Sequence, residues 1–503
     1  MLAGTIYISF LGAAGLLLLP KGSVAAARIL ALLTAIAGFS LALTSFVHHR
    51  SGELFTVTRV PWIPTLGIEY HLAADGISLT MILLTGIIAI TGILFSWNIV
   101  ERTKEFFAFY LLLIGAVYGV FLSYDLFLLF VFYEIVIIPK YFLIAIWGST
   151  RCEYGAMKLA IYSFVGSTMV LIGLIAAYVV AGSKTTSLVD LAQYPFSLHF
   201  QMLAFPLVFV GFAILAGLWP FHTWAPTGHV AAPTAASMLL AGVVMKLGAY
   251  GCLRVAMTLF PLGLGPWGFH VLGLASWRDV FALLAVIGII YGALVALVQK
   301  DFKFVIGYSS VSHMGFILLG LMTLNQIGLT GAVLQMLSHG LLAGLMFAVV
   351  GRMVYARTHT RELAILGPMN LWNIIPFAAV TFIIAGMASM GLPGFSGFWA
   401  ELMILIGVWR SYPAYALCVG FGIIIGVVYI WRAMLKAFFA ETGVKLTPPQ
   451  PSLPPITLPE RLGAIILIGA SIFVGVCPQV FQNIIIPAFN SPLFEGLRKG
   501  SWQ

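Results

Sequence analysis

The chain alternates between long apolar stretches and short polar ones, and the apolar stretches are long enough to cross a bilayer. A spanning helix needs about 20 mostly apolar residues. Fourteen stretches qualify: 2–20, 24–47, 76–97, 104–123, 125–147, 155–181, 201–218, 233–260, 277–298, 303–322, 326–355, 371–410, 413–440 and 460–484. The twelfth is interrupted. The first lacks a basic segment ahead of its apolar core, so it reads as a span and not as a cleaved signal. Between the second and third stretches, residues 48–74 alternate apolar and polar positions and contain Pro61 and Pro64. That pattern predicts a short β-hairpin lying over the membrane surface. The proline-rich stretch 442–459 reads as a linker.

Composition agrees with this picture. Hydrophobic residues make up 61% of the 503 residues and charged residues only 8%. A soluble domain carries about 25% charge, so lipid must cover most of this surface. The net charge of +9 is not a nucleic-acid signature. With the N-terminus outside, fifteen Lys and Arg fall at inside ends and seven at outside ends. That is the positive-inside bias, and fourteen spans then return the C-terminus to the outside as well. The four cysteines have no CxxC spacing, and there is no HExxH, GxGxxG or phosphate-loop motif. Neither a metal site nor a nucleotide site is expected.

Two blocks of five spans, 104–260 and 276–440, are of nearly equal length, and the fourth helix of each is interrupted. The interruptions are Trp219-Pro220-Phe221-His222 and Gly391-Leu392-Pro393-Gly394-Phe395. An odd number of spans makes the second copy inverted, and paired breaks at matching places point to a transport site near the midplane. Residues 1–103 form an N-terminal segment of three helices and the outside loop. Residues 441–503 hold the linker, the last helix and the tail.

The candidate chemistry is buried charge. Of sixteen acidic residues, Glu134 and Glu401 fall well inside apolar runs. A charge at the bilayer centre costs roughly 2.5–3.5 kcal/mol on insertion scales, so it marks a proton or ion path unless it is held in a structural ion pair. Lys246 sits near the middle of its span, too deep for its stem to reach water easily. Desolvation favours the neutral amine there, so a neighbouring carboxylate can load or unload its proton. His313 and His339 each follow a serine within a span, and histidine is the residue type whose ordinary pKa lies nearest neutral pH. His222 and His229 flank the first break, where a water-accessible end is expected.

Three segments resemble a known family. Trp219-Pro220-Phe221-His222-Thr223-Trp224-Ala225-Pro226, the run Ala241 to Gly251 around Lys246, and Asp301 to Gly315 are similar to the antiporter-like subunits of respiratory complex I. Related subunits occur in Mrp-type cation/proton antiporters and membrane hydrogenases. A glutamate at the twelfth-helix break, here Glu401, makes the chain most similar to the M-type subunits of NADH–quinone oxidoreductase. The resemblance implies an all-helical, fourteen-span subunit of a bacterial inner membrane. It would translocate protons beside other membrane subunits of the complex. NADH, FMN, Fe–S clusters and quinone would be bound by partner subunits and none by this chain, and no nucleic acid is involved. Glu134 matches the helix-five glutamate of that family, Lys246 its central lysine, Glu401 its exit glutamate, and His313 and His339 its polar axis.

One departure stands out. The family carries a lysine five residues before the proline of the first break, where this chain has Leu215. Lys140 appears instead, just after Pro139. Either Lys140, swung by a proline kink, replaces the missing partner of Glu134, or its amine snorkels to the inside face. A Na⁺/H⁺ antiporter subunit, a hydrogenase subunit and a proton-inactive structural spacer are the competing readings.

Overall fold

A computed structural model describes residues 1–49, 51–266, 274–439 and 453–501. Residues 442–452 of the expected linker lie outside the described residues. The helices are α1 (Ala3–Leu18), α2 (Val24–His48), α3 (Gly76–Phe95), α4 (Thr103–Leu122) and α5, which has two parts, Leu126–Ile135 and Ile137–Trp147. They continue as α6 (Cys152–Val180), α7 (Leu198–Ala216 and Trp224–Ala231), α8 (Thr234–Leu259), α9 (Trp277–Val298), α10 (Phe302–Met322) and α11 (Gln326–Thr358). Next come α12 (Pro376–Ser389 and Ser396–Ser411), α13 (Pro413–Phe438) and α14 (Leu458–Val476), which ends at Cys477 inside the expected span 460–484, and a separate helix, Pro478–Ala488, follows it. Among the described residues, twelve helices are long and apolar enough to cross a membrane. Ala3–Leu18 and the first half of α12 are apolar but shorter.

The expected hairpin is present. Strands β1 (Phe55–Ile63) and β2 (Ile68–Ala74) pair antiparallel around a turn that starts at Pro64. Gly67 closes the turn at φ +65°, and a Cβ there would stand 2.0 Å from the Lys184 carbonyl oxygen. Only glycine meets both demands.

Helices α8 and α11 are buried along their entire apolar windows. The peripheral α13 instead exposes Leu417, Phe421, Ile424, Val428 and Trp431. These recur every three or four residues and make one apolar stripe suited to acyl chains or another subunit. Small residues let the central helices touch. A Cβ on Gly340 of α11 would lie 2.7 Å from the Gly242 carbonyl oxygen of α8, and the reverse approach is 3.2 Å. Helix packing in membranes uses such glycines for close backbone approach.

Both expected breaks are there. In α7, Gly217 takes φ +83°, and its N–H and that of Leu218 cap the carbonyls of Ile214 and Ala213. This is the usual left-handed glycine stop. Trp219–Pro220 is cis. The Trp224 indole N–H reaches back 2.8 Å to the Ile214 carbonyl, so the broken end keeps its hydrogen bonds. In α12 the stop is made by Gly391, at φ +71°, and Gly394, at φ +95°. The α5 helix is interrupted at Val136, one turn before Pro139. Proline removes a hydrogen bond and clashes with the carbonyl four residues back, here that of Ile135.

Candidate functional site

Helices α8, α10, α11 and α12 bring four of the five expected polar residues into one buried row. Lys246 is fully buried, and its amine lies 2.7 Å from His339 Nδ1. It also hydrogen-bonds the Ala241 carbonyl. That carbonyl belongs to a π-helical turn, Leu240–Val244, where the wider helix changes the local hydrogen-bond ladder. The His339 ring stacks on that of His313 with centroids 5.2 Å apart. His313 Nε2 stands 3.6 Å from Glu401 Oε1. Ser309 anchors the far side of His313: its carbonyl is 2.9 Å from Nδ1, and its hydroxyl accepts from Tyr429 at 2.9 Å. A cavity with about 10 Å³ of room for water lies against His313, His339, Gln335, Ser338 and Glu401.

The α12 break holds Glu401 in place. A Cβ on Gly391 would lie 2.8 Å from Glu401 Oε2. Gly391→Ala would therefore strain a left-handed backbone and push on the carboxylate. The expected result is a loss of roughly 1–2 kcal/mol in thermal stability, together with reduced proton flux. Flux equal to wild type would show that the position of Glu401 does not matter.

Glu134 stands apart from this row. It is only half-buried, and its Oε1 is buried without a hydrogen-bond partner. The Tyr133 hydroxyl beside it is also unpartnered. Lys140 does not snorkel: it is 1% exposed, and its amine donates to Ser163 Oγ at 2.9 Å. The kink and the packing of α6 keep the stem inside. Among the described residues no ion pair joins Lys140 to Glu134, although the two are close enough for their charges to interact. Leu215 is packed against α8, where a Cβ on Gly248 would meet the Leu215 carbonyl carbon at 2.9 Å.

His222 and His229 depart from expectation. They are 2% and 0% exposed, not at a water-accessible end, because the short second half of α7 folds inward against α6 and α10. His229 Nε2 lies 3.4 Å from Met245 Sδ. Sequence reasoning also gave no role to Arg254, whose guanidinium forms a two-pronged ion pair with Asp75 at 2.6 Å, both side chains fully buried. A lone arginine within an apolar run was the signal. Lys303, in the first turn of α10, is buried and donates to the Ala232 carbonyl at 2.6 Å. Among the described residues no group of three or more His, Cys, Asp or Glu could hold a metal ion.

The arrangement suits proton movement. Lys246 and His339 share one hydrogen bond that either nitrogen can donate, so a proton shifts between them without either leaving its site. His313 Nε2 and Glu401 Oε1, at 3.6 Å, are neighbours but too far apart for a direct hydrogen bond. Low dielectric makes each site sensitive to the charge of the next.

The family profile described as NADH:quinone oxidoreductase/Mrp antiporter, TM matches residues 123–426. The NADH-quinone oxidoreductase subunit M of Rhodobacter capsulatus is 35% identical over 465 residues, 89% of this chain and 86% of that protein. The protein of the same name from Pseudomonas aeruginosa is 37% identical over 442 residues, 85% of this chain and 82% of that one. A chain in the structure of respiratory complex I from Thermus thermophilus with bound NADH superposes with a TM-score of 0.87 at 27% identity, covering 99% of both chains. The matched range spans the buried row and both breaks, and the chain belongs to the NADH:quinone oxidoreductase/Mrp antiporter family of membrane subunits.

Proposed function

We propose that this chain carries protons across a bacterial inner membrane as the M-type subunit of an NADH–quinone oxidoreductase. The observation that carries the reading is the buried row Lys246–His339–His313–Glu401. The names of its relatives support the parent complex. In this reading the chain crosses fourteen times, with both termini outside and with two inverted five-helix repeats, 104–260 and 276–440. It holds no redox centre. NADH oxidation and quinone reduction belong to partner subunits, and other membrane subunits cover its exposed apolar faces. Each proton moved against 100 mV requires about 2.3 kcal/mol, which must arrive through those contacts. An Mrp-type Na⁺/H⁺ antiporter subunit is the second reading, and Glu401 weighs against it. Purification through a tag on this chain tests the choice. Co-purifying complex I subunits and NADH-driven proton uptake in vesicles are expected; Na⁺/H⁺ exchange without electron transfer would replace the reading.

Lys140 takes the part of the lysine missing at Leu215. It is the buried cation nearest in sequence to Glu134, and its short link to Ser163 leaves it free of a permanent counter-ion. Lys140→Leu is expected to lower the protons moved per electron, and Lys140→Leu combined with Leu215→Lys to restore part of the loss. Unchanged pumping in the single variant would end the idea.

A further inference from the structure

The buried row has a gap at its centre. Ring N–H groups lie in the plane of the imidazole, so the stacked rings of His313 and His339 aim past each other. His313 Nδ1 faces a carbonyl at 2.9 Å and must carry its hydrogen there, which leaves Nε2 as an acceptor in the neutral ring. It faces another acceptor, Glu401 Oε1, at 3.6 Å. His339 spends Nδ1 on Lys246, while its Nε2 is buried with no partner. Gln335 lies one turn earlier on α11, 1% exposed, and its Oε1 is likewise buried with no partner. Both residues line the same cavity as His313 and Glu401. The cavity has room for about one water, and a buried water needs two to four polar partners.

We propose that Gln335 is a positioning residue: its amide oxygen seats one water between His339 Nε2 and the His313–Glu401 pair, and the proton crosses the row through that water. The inference rests on the proton-carrying reading above. In one transfer the Lys246 N–H bond breaks and His339 Nδ1–H forms. His339 Nε2–H breaks towards the water, and the water passes a proton to the Glu401 carboxylate. Lys246 ends neutral, Glu401 ends protonated, and the water is unchanged. Gln335 gains and loses nothing; it accepts one hydrogen of the water and so aims the other at Glu401.

The test uses the whole complex in vesicles, reading proton flux and electron transfer in H2O and D2O. Gln335→Met keeps the side-chain volume and removes the acceptor. It is expected to lower coupled flux on the order of tenfold and to change the ratio of flux in H2O to that in D2O. Gln335→Glu keeps an oxygen at the same place and is expected to retain most of the flux. Thr330→Val is the control: Thr330 is also buried on α11 with an unpartnered hydroxyl, but it does not line the cavity. It is expected to match wild type. Wild-type flux in Gln335→Met, or an equal loss in Thr330→Val, would overturn the proposal. If Gln335→Met fails to assemble, Gln335→Glu decides: retained flux supports the seat and lost flux rejects it. Failure of this inference alone would leave Lys246→Ala inactive, whereas an active Lys246→Ala would remove the underlying reading as well.

Discussion

Lys246→Ala is expected to abolish the proton flux carried by this chain while its partner subunits still assemble around it. Among the described residues the amine is the lysine or arginine cation of the buried row, hydrogen-bonded to His339 and fully enclosed. Without it a proton must enter an apolar site unaided. The cost of placing a charge there is roughly 3 kcal/mol on insertion scales, which corresponds to about a hundredfold slower passage. Packing alone does not explain such a loss, and Lys246→Met, which keeps most of the stem, is expected to be as inactive as the alanine variant. The measurement is protons taken up per electron in reconstituted vesicles, with subunit ratios checked on the purified complex. A normal ratio in either variant would reject the role.

The second large effect concerns stability. Arg254 and Asp75 join α8 to the start of α3 at full burial, and the guanidinium sits 5.2–5.4 Å from the rings of Tyr124, Tyr250 and Phe494. Asp75 also accepts the N–H groups of Ile77 and Ser78, capping α3. Removing one partner of a buried pair strands the other charge and costs about 3–5 kcal/mol. Arg254→Met and Asp75→Asn are each expected to sharply lower the thermal midpoint and yield of the detergent-solubilised complex. The double variant leaves no stranded charge and is expected to be milder than the sum of the two. Strict additivity in that double-mutant cycle would mean the pair is not coupled.

Much of the fold was legible because lipid imposes long apolar runs. The hairpin showed in the alternation around Pro61 and Pro64, and both breaks showed as Gly/Pro clusters. The residues of the row were legible as isolated polar groups in those runs, since lipid makes each one costly. Their contacts were not: Lys246 and His339 lie far apart in the chain, and only the crossing of α8 and α11 joins them. Asp75 was overlooked because it sits at the end of a span, where a carboxylate looks solvated; its burial follows from the docking of Arg254 from another helix. The inward fold of the second half of α7 misplaced His222 and His229, since a Gly/Pro break signals a change of direction without saying which way the chain then turns.

The backbone contact between Gly242 and Gly340 has a mechanical consequence. The same two helices also come close where a Cβ on Gly351 would lie 2.8 Å from the Thr234 hydroxyl, so α8 and α11 meet along a seam that leaves little room to slide or approach. Lys246 is four residues from Gly242, about 6 Å along the axis, and His339 is adjacent to Gly340. A difference of about 10° in the helix crossing would displace the amine by roughly 1 Å over that 6 Å arm. That is enough to stretch the 2.7 Å contact with His339 beyond good hydrogen-bond length. The close glycine contact therefore sets the spacing on which the lysine–histidine hydrogen bond depends, and an error of about 1 Å there would break that bond.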